Sequence, residues 1–343
     1  MTTDATLFPI FLRQGRSTAR FKVGYINREG QVVIEPVFDE GTRFYEGLAA
    51  VAVKSRWGVI NTDGEFVVQP ASWGVGRFHD GLANVSVKGM CGVVDAAGNF
   101  VVKPKYDYLE PFREEFAVFR LGKFQERKSW RYGYLDKSGA EAIPAIFHSA
   151  YGFSEGSAAA KVGNLWGYIG PSGVFKITPR FEGTRQGRLR LEDTRAGYFT
   201  DGLAPVWSGR GYGFIDTNGQ FVIAADFEEA SSFREGRALI QRQRRYGFLD
   251  LAGRIVIKTN FTFASDFSEG LAPVREKEYG VRFVPPCGFI DLEGNMVLRP
   301  AFHSAESFRG GLSLVTTEDS IGYINKIGQF VWQGPYVEYG ILY

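Results

Sequence analysis

Apolar and polar residues follow one another along the chain in short alternating runs, separated by polar segments that contain glycine. In "LANVSV", which begins at Leu82, the apolar Val85 and Val87 alternate with the polar Asn84 and Ser86. In "GVINTDGEFVVQP", which begins at Gly58, two short apolar runs flank the polar segment "NTDG". Alternation with a period of two, and short apolar runs bounded by turn residues, predict β-strands joined by tight turns.

One glycine of this pattern recurs at a nearly constant interval and marks a repeat. The next residue is aromatic or aliphatic, the one after it is aliphatic, and the third is usually Asn or Asp. The copies of this marker glycine are Gly24, Gly58, Gly92, Gly133, Gly167, Gly213, Gly247, Gly288 and Gly322. The intervals between successive marker glycines are 34, 34, 41, 34, 46, 34, 41 and 34 residues. A fixed period of this length indicates repeated structural units that stack on their neighbours.

The residues after each marker glycine predict a hairpin. Asn or Asp stands three positions later in every copy except at Gly170, and Gly stands six positions later in all of them. Asx at the first corner and a glycine with positive φ at the fourth are typical of a type I turn with a G1 bulge. The marker glycine therefore lies in the first strand of an antiparallel hairpin.

The rest of each unit predicts a third strand. A proline often follows the second strand and predicts its end, as at Pro36, Pro70, Pro104, Pro179 and Pro300. An aromatic residue, the motif F-x-[DE]-G and an alternating run such as "LAAVAV" come next. Since a 34-residue unit is too small to bury its own apolar face, we expect the aromatic residue and the Phe of the motif to pack between neighbouring units.

The predicted fold is all-β, a tandem array of about nine three-stranded antiparallel β-meander repeats with a period of 34. Residues 1–343 are predicted to form a single array, with an irregular N-terminal unit or cap at 1–23 and a C-terminal unit or cap at 322–343. Propeller blades usually have four strands and more residues. The prediction is therefore an open superhelical β-solenoid, with a closed β-propeller-like ring as the alternative.

Charge and composition limit the possible partners and reactions. The net charge is +2, so an electrostatic partner must be recognised by a local patch. The two cysteines, Cys91 and Cys287, occupy the register position that elsewhere holds Trp or Tyr, which predicts a space-filling role. The N-terminal segment has no pattern of a signal peptide, and no apolar run is long enough to span a membrane, so a cytoplasmic location is expected.

The chain offers few candidates for catalysis or for metal binding. Its three histidines are scattered, and the F-x-[DE]-G motif supplies one acid per unit, which is too few ligands for zinc or calcium. An acid beside glycine in a turn more often accepts backbone hydrogen bonds. We expect no catalytic residue, no cofactor and no bound metal.

Departures from the period fall in loops and predict the binding site. One insertion precedes Gly133, another precedes Gly288 and a third lies within 181–196, while a basic cluster occupies the uninserted turn before Gly247. Because equivalent turns project from one edge of a stacked array, the basic residues of such turns are predicted to form a basic edge. The candidate partner-binding residues are Lys128, Trp130, Arg131, Arg185, Arg188, Arg190, Arg195, Arg242, Arg244 and Arg245. Arginines, with Trp130 as an anchor, suit an acidic protein surface. Solvated turn tips are the alternative, and the low net charge makes a nucleic acid an improbable partner.

The tandem pattern W-G-[YF]-I-D, G-x-x-V-[IV]-x-P and F-x-E-G-L-A resembles the bacterial WG, or KWG, repeat family from about residue 20 to the end. The Trp-Gly pair itself occurs only at Trp57-Gly58 and Trp166-Gly167. The resemblance implies a non-catalytic interaction module and supplies no catalytic residues. We therefore expect a monomeric protein-binding scaffold, of which an immunity protein against a toxin is one form. A carbohydrate-binding repeat array or a carbohydrate-active enzyme is the alternative.

Overall fold

The computed structural model describes residues 6–13, 21–71, 73–122, 126–182, 197–276 and 286–335. These residues form β-strands and one 3-10 turn, Arg127–Ser129, and contain no α-helix, which confirms the all-β class. None of the described helical segments has the length and apolar character needed to cross a bilayer. The chain divides into two compact units, with the boundary between Gly152 and Phe153.

The first unit contains sixteen of the described strands. They are β1 (Phe8–Arg13), β2 (Phe21–Ile26), β3 (Val32–Phe38), β4 (Glu40–Gly41), β5 (Leu48–Val53), β6 (Arg56–Asn61), β7 (Phe66–Ala71), β8 (Gly74–His79), β9 (Leu82–Val87), β10 (Met90–Asp95), β11 (Phe100–Tyr106), β12 (Tyr108–Leu109), β13 (Phe116–Leu121), β14 (Arg131–Asp136), β15 (Glu141–Phe147) and β16 (Ser149–Ala150). Consecutive strands pair in the sheets β1–β3, β4–β7, β8–β11 and β12–β15, and the pairing is antiparallel.

The second unit contains the remaining described strands. They are β17 (Ala158–Val162), β18 (Leu165–Ile169), β19 (Phe175–Glu182), β20 (Ala204–Trp207), β21 (Tyr212–Ile215), β22 (Phe221–Phe227), β23 (Glu229–Ala230), β24 (Ala238–Arg242), β25 (Arg245–Leu249), β26 (Ile255–Ala264), β27 (Ala272–Glu276), β28 (Cys287–Ile290), β29 (Met296–Phe302), β30 (Ser304–Ala305), β31 (Leu312–Thr316), β32 (Ser320–Asn325) and β33 (Phe330–Pro335). Strands β17–β19, β20–β22, β23–β29 and β30–β33 pair consecutively.

The predicted hairpin turns are present. The Asn61 side chain accepts hydrogen bonds from the N–H groups of Asp63 and Glu65, at 3.1 and 2.9 Å. The Gly64 N–H donates to the Asn61 carbonyl at 3.0 Å, and φ of Gly64 is 83°. The turn therefore has the Asx corner and the left-handed glycine that the spacing of the marker motif predicts.

The sheets group the strands differently from the prediction. The run Leu48–Val53, predicted as the last strand of one meander, is β5 and pairs with β6 of the following repeat. A two-residue turn joins β5 to β6, whereas a longer segment separates β3 from β5, so the tight hairpin forms within one sheet. The short strand β4 also pairs with β5, so the sheet has four strands rather than the predicted three.

The prediction that a proline often ends the second strand of the hairpin is wrong. The strands β3, β11, β19 and β29 continue past Pro36, Pro104, Pro179 and Pro300, and β7 continues one residue past Pro70. Pro104 lies inside β11, where Cys91 faces Tyr106 and Val93 faces Val102, so β11 bulges opposite Gly92. A Cβ on Gly92 would lie 2.5 Å from the Val102 carbonyl oxygen. The strand is at the edge of its sheet, where proline is tolerated and a bulge accommodates it. The bulge thus explains why the marker position is glycine.

The hydrophobic cores lie between successive sheets, as predicted. In the first unit Val59 and Val68 of one sheet pack with Val75 and Phe78 of the next. In the second unit Phe289 of β28 packs with Val315 of β31 and Ile324 of β32, which belong to the next sheet. The described Phe residues of F-x-[DE]-G are buried, as are the aromatic residues near the ends of the second hairpin strands. Each sheet therefore depends on a neighbour for its burial.

Candidate functional site

Two hairpin tips of the first unit present lysine on a fixed backbone. Lys54 and Ser55 join β5 to β6 with φ of 50° and 61°, and Lys88 and Gly89 join β9 to β10 with φ of 49° and 82°. Positive φ at both turn residues is typical of the type I′ turn, whose twist matches the paired strands. Lys54, Arg56 and Lys88 are exposed. We call Lys54–Arg56, Lys88-Gly89, Lys128–Arg131 and Arg242–Arg245 the basic turns.

The third basic turn, Lys128–Arg131, is built differently. The Arg131 guanidinium donates to the carbonyl oxygens of Lys128 and Trp130, at 3.1 and 2.7 Å, and so holds the turn. Trp130 is half-buried, and the guanidinium carbon of Arg120 lies 4.0 Å from the centre of its ring. Lys128 is exposed. Of the three predicted contact residues, Lys128 is free to meet a partner, whereas Arg131 and Trp130 already have intramolecular contacts.

The basic turn of the second unit resembles those of the first. Gln243 and Arg244 have φ of 51° and 60°, and Arg242 faces Arg245 across the hairpin. The Arg244 N–H donates to the Glu228 carboxylate at 3.0 Å, while the Arg242 and Arg244 side chains are exposed. Arg245 is half-buried, and its Nη1 has no hydrogen-bond partner among the described residues.

The other four predicted contact residues cannot be placed in this way. Arg185, Arg188, Arg190 and Arg195 lie outside the described residues, as does the insertion that contains them.

Some cations elsewhere in the described chain have acidic partners, whereas others, such as Lys103, Lys258 and Arg299, form no ion pair there. Lys22 lies 2.7 Å from Asp39, Lys137 lies 3.2 Å from Asp80, and Arg254 lies 2.6 Å from Asp250. Six side chains of the basic turns also form no ion pair within the described residues; they are Lys54, Arg56, Lys88, Lys128, Arg242 and Arg244. The positive charge on these turns is therefore available to an external group.

Arg120 was not among the predicted site residues. It lies in β13 and is 7% exposed, between the ring of Tyr108, 5.2 Å from its guanidinium carbon, and that of Trp130. Burial raises the pKa of Tyr108, and the neighbouring Glu110 carboxylate raises it further. The sequence contained no distinct signal for this residue, because its register position varies between repeats, from Ala52 and Ser86 to Lys161 and Arg275.

The structural role that the sequence predicts for the acids of F-x-[DE]-G is present at Glu46, Glu155, Glu235 and Glu269. Both oxygens of Glu46 accept backbone N–H groups, from Asp80 and Gly81. Glu46, His79 and Asp80 have potential ligand atoms within 4.8 Å of one another, and all three are exposed. The Lys137 ammonium lies 3.2 Å from Asp80 and places a positive charge where a cation would bind, so these three residues do not fit a metal site.

Neither cysteine has the surroundings of a reactive thiol. Cys287 is buried in a core cluster, and its Sγ accepts a hydrogen bond from Arg275 Nε at 3.0 Å. Burial raises the pKa of both Cys287 and Cys91, more than the nearby arginines lower it. A raised pKa leaves less thiolate, the nucleophilic form, at neutral pH.

The sequence matches the model of a WG containing repeat in seven segments. They are residues 24–56, 57–91, 92–123, 132–166, 212–243, 246–279 and 288–319. The fold is similar to that in "Crystal structure of the eukaryotic initiation factor", with a TM-score of 0.60 and 14% identity over 98% of this chain and 96% of that chain. BamB from Moraxella catarrhalis gives a TM-score of 0.47 and 12% identity over 85% of this chain and 97% of that chain. The first likeness concerns the fold alone. No curated protein matches the chain in sequence.

Proposed function

Because the chain belongs to the family of WG containing repeat proteins, we propose that it is a non-catalytic scaffold that binds another protein through its basic turns. The observation that carries the proposal is the set of unpaired cations on these turns. Lys54, Lys88 and Arg242 are exposed at the ends of hairpins and have no acidic partner among the described residues. Charges in this state favour encounter with an oppositely charged surface.

The backbone of the basic turns supports recognition without a large ordering cost. In two of the turns, two consecutive non-glycine residues have positive φ, and in both the flanking residues pair across the hairpin. A turn whose backbone is fixed before binding loses little conformational entropy when a partner docks. Only the long side chains of Lys and Arg then need to be ordered in the complex.

The proposed partner is a protein with an acidic surface. Guanidinium groups bind carboxylates in a planar, two-pronged geometry, and four of the candidate positions in described turns are arginine. An immunity protein that blocks a toxin is one form of this function. A monomeric, cytoplasmic scaffold completes the proposal.

The non-catalytic part of the proposal is supported by what the repeated acids do. Glu46, Glu155 and Glu235 each accept backbone N–H groups from a following turn. A glycosidase needs two carboxylates in different environments, one of them able to give up a proton. The equivalent surroundings of these three glutamates favour a structural role over the carbohydrate-active enzyme named as the alternative.

The arrangement of the repeats belongs to the same proposal. The open array of about nine units is the arrangement that the sequence predicts, and among the described strands neither β1–β3 nor β30–β33 includes one from the opposite end of the chain. The fourth strand of sheets such as β4–β7 brings them to the strand number of propeller blades and favours the alternative, a closed ring. Small-angle scattering distinguishes the two, because an open superhelix gives a longer maximum dimension than a ring of the same mass.

Capture from the native host tests the function. The tagged full-length chain is compared with a variant that carries Lys54→Glu, Lys88→Glu and Arg242→Glu, and bound proteins are quantified by mass spectrometry. Glutamate can adopt the positive φ of Lys54 and Lys88, because Glu46 already has positive φ in an equivalent two-residue turn. We expect a protein that the wild type enriches to be captured at least about tenfold less by the variant, as expected for several lost charge contacts.

A matched control separates the position of the charge from its amount. Lys103→Glu, Lys258→Glu and Arg299→Glu change the net charge equally, at exposed residues of β11, β26 and β29. This control is expected to capture the partner as the wild type does. Equal capture by the wild type and the basic-turn variant would overturn the proposal.

A further inference from the structure

We propose that Arg120 is a recognition site for one carboxylate group of the acidic partner, a proposal that rests on the function above and makes it specific. The guanidinium lies between two aromatic rings, 4.0 Å from the centre of Trp130 and 5.2 Å from that of Tyr108. Rings on a guanidinium cover its faces and leave its in-plane N–H donors as the remaining contact surface. A carboxylate binds an arginine in that plane.

The positive charge of Arg120 has no compensation within the described residues. It forms no ion pair there, and its buried Nε has no hydrogen-bond partner among them. The neighbouring Glu110 carboxylate instead accepts a hydrogen bond from the Tyr108 hydroxyl at 3.0 Å. Burial raises the pKa of Glu110, and the charge of Arg113 lowers it by a smaller amount. A buried charge without a partner is costly, so an incoming anion would gain from neutralising it.

The repeat does not require a charged residue at this position. Ala52 and Ser86 occupy the equivalent place in β5 and β9, opposite Trp57 and Cys91 in the next strand. Arg275 occupies the equivalent place in β27, over the ring of Phe263, but its guanidinium donates to Cys287 Sγ and to the His303 carbonyl oxygen. The Arg120 Nε has no such partner among the described residues. A buried donor that is unsatisfied where its counterpart in another repeat is satisfied is where a function is expected.

The surroundings favour a carboxylate on a larger chain over a free ion. Lys128 is exposed two residues before Trp130, so further cationic contact is available at the rim of the site. Arg245 of the second unit shows the same feature, because its Nη1 is buried without a partner among the described residues. An unsatisfied guanidinium thus also occurs in the basic turn Arg242–Arg245, where a further carboxylate would gain in the same way.

Binding of poly-L-glutamate to the full-length chain tests the proposal by isothermal titration calorimetry. Arg120→Met keeps an apolar side chain against both rings and removes the charge, and Lys103→Met removes one charge from an exposed strand position. We expect the affinity to fall at least tenfold in the first variant and less than twofold in the second. We also expect Tm of Arg120→Met to equal or exceed that of the wild type, because an uncompensated buried charge is lost.

Arg120→Lys tests the planar geometry independently of stability. It retains the charge but loses the two-pronged donor, so a clear loss of affinity is expected. Wild-type affinity in both Arg120→Met and Arg120→Lys would overturn the inference, as would tighter binding of polyuridylate than of poly-L-glutamate. If Lys54→Glu with Lys88→Glu weakens binding of poly-L-glutamate while Arg120→Met does not, the site at Arg120 is wrong and the proposed function stands.

Discussion

The carboxylate of Glu46 accepts hydrogen bonds from the backbone N–H groups of Asp80 and Gly81, at 2.7 and 2.8 Å, one repeat further along the chain. The Glu235 carboxylate contacts the turn that follows it in the same way, at 2.6 and 2.9 Å. We call these contacts the carboxylate clamps. They explain why an acid occupies a turn position with φ of 52°, a left-handed conformation that glycine adopts at lower cost.

Removal of one carboxylate clamp is expected to weaken the first unit. In Glu46→Gln the side chain keeps one acceptor oxygen but presents an NH₂ donor to the second backbone N–H. We expect a loss of about 1–2 kcal/mol in the free energy of unfolding, the range for hydrogen bonds to charged groups at an exposed site. Urea denaturation followed by circular dichroism measures it. Glu35→Gln, at an exposed residue of β3, is the control, and equal losses in the two variants would contradict the clamp.

A missing clamp can be supplied. Asp201 receives the clamp of Glu155, but its own side chain, one methylene shorter, makes no hydrogen bond among the described residues to the turn of Glu235 and Gly236. The separation of 34 residues equals that between Glu46 and Asp80. Asp201→Glu is therefore expected to raise the urea midpoint, by the equivalent of about 0.5–1 kcal/mol. Glu235→Gly keeps the backbone donors but loses its own clamp, so the double variant Asp201→Glu with Glu235→Gly is compared with Glu235→Gly alone and should show the same gain. No gain in either comparison would refute the prediction.

The hairpins could be predicted from the sequence, but the clamps could not. Asn61 and Gly64 lie three residues apart, and their turn geometry follows from local rules alone. The contact of Glu46 with Asp80 joins different turns, and its existence depends on how two sheets stack. The grouping of β5 with β6 was missed for a related reason, because the marker glycine sets the period of the repeat and not the boundary of the sheet.

Two glycines of the sheet β8–β11 are expected to tolerate alanine very differently. A Cβ on Gly92 would lie 2.5 Å from the Val102 carbonyl oxygen, whereas a Cβ on Gly81 would have open space but φ of 73°. Gly81→Ala is expected to cost about 1 kcal/mol for the left-handed conformation. Gly92→Ala is expected to cost about 3 kcal/mol, because the partner strand must move. Thermal and urea unfolding measure both, and a smaller loss in Gly92→Ala than in Gly81→Ala would show that the bulge is not rigid.

The candidate site shows the same limit of sequence reasoning. Lys128, Arg242 and Arg244 were identified because charged residues cluster visibly in the turns that precede the marker glycine. Arg120 belongs to a strand, and its neighbours Tyr108 and Trp130 come from segments on either side of it in sequence. The sequence shows only that this register position holds a cation in some repeats, as at Arg120, Lys161 and Arg275, and a small residue in others. The unsatisfied Nε becomes visible once the side chains are placed.

Acid is expected to weaken the hairpin turns that use aspartate. The Arg254 side chain and the N–H groups of Ala252 and Arg254 bind the Asp250 carboxylate, and the hydrogen bond from the Arg254 side chain is the main reason that the pKa of Asp250 is lowered. A pKa lower in the folded than in the unfolded state adds stability that is complete above the unfolded value, about 3.9. That stability is lost as the pH falls through the folded pKa.

Asp250→Asn is accordingly expected to lower the free energy of unfolding at pH 7, and the difference from the wild type should shrink as the pH falls below about 4. Urea midpoints of the two chains between pH 2 and pH 7 measure it. Asp319→Asn, at an exposed residue of the same unit, should differ little from the wild type at pH 7. A deficit of Asp250→Asn that stays constant down to pH 2 would mean that the ionisation of the Asp250 carboxylate is not what stabilises the turn.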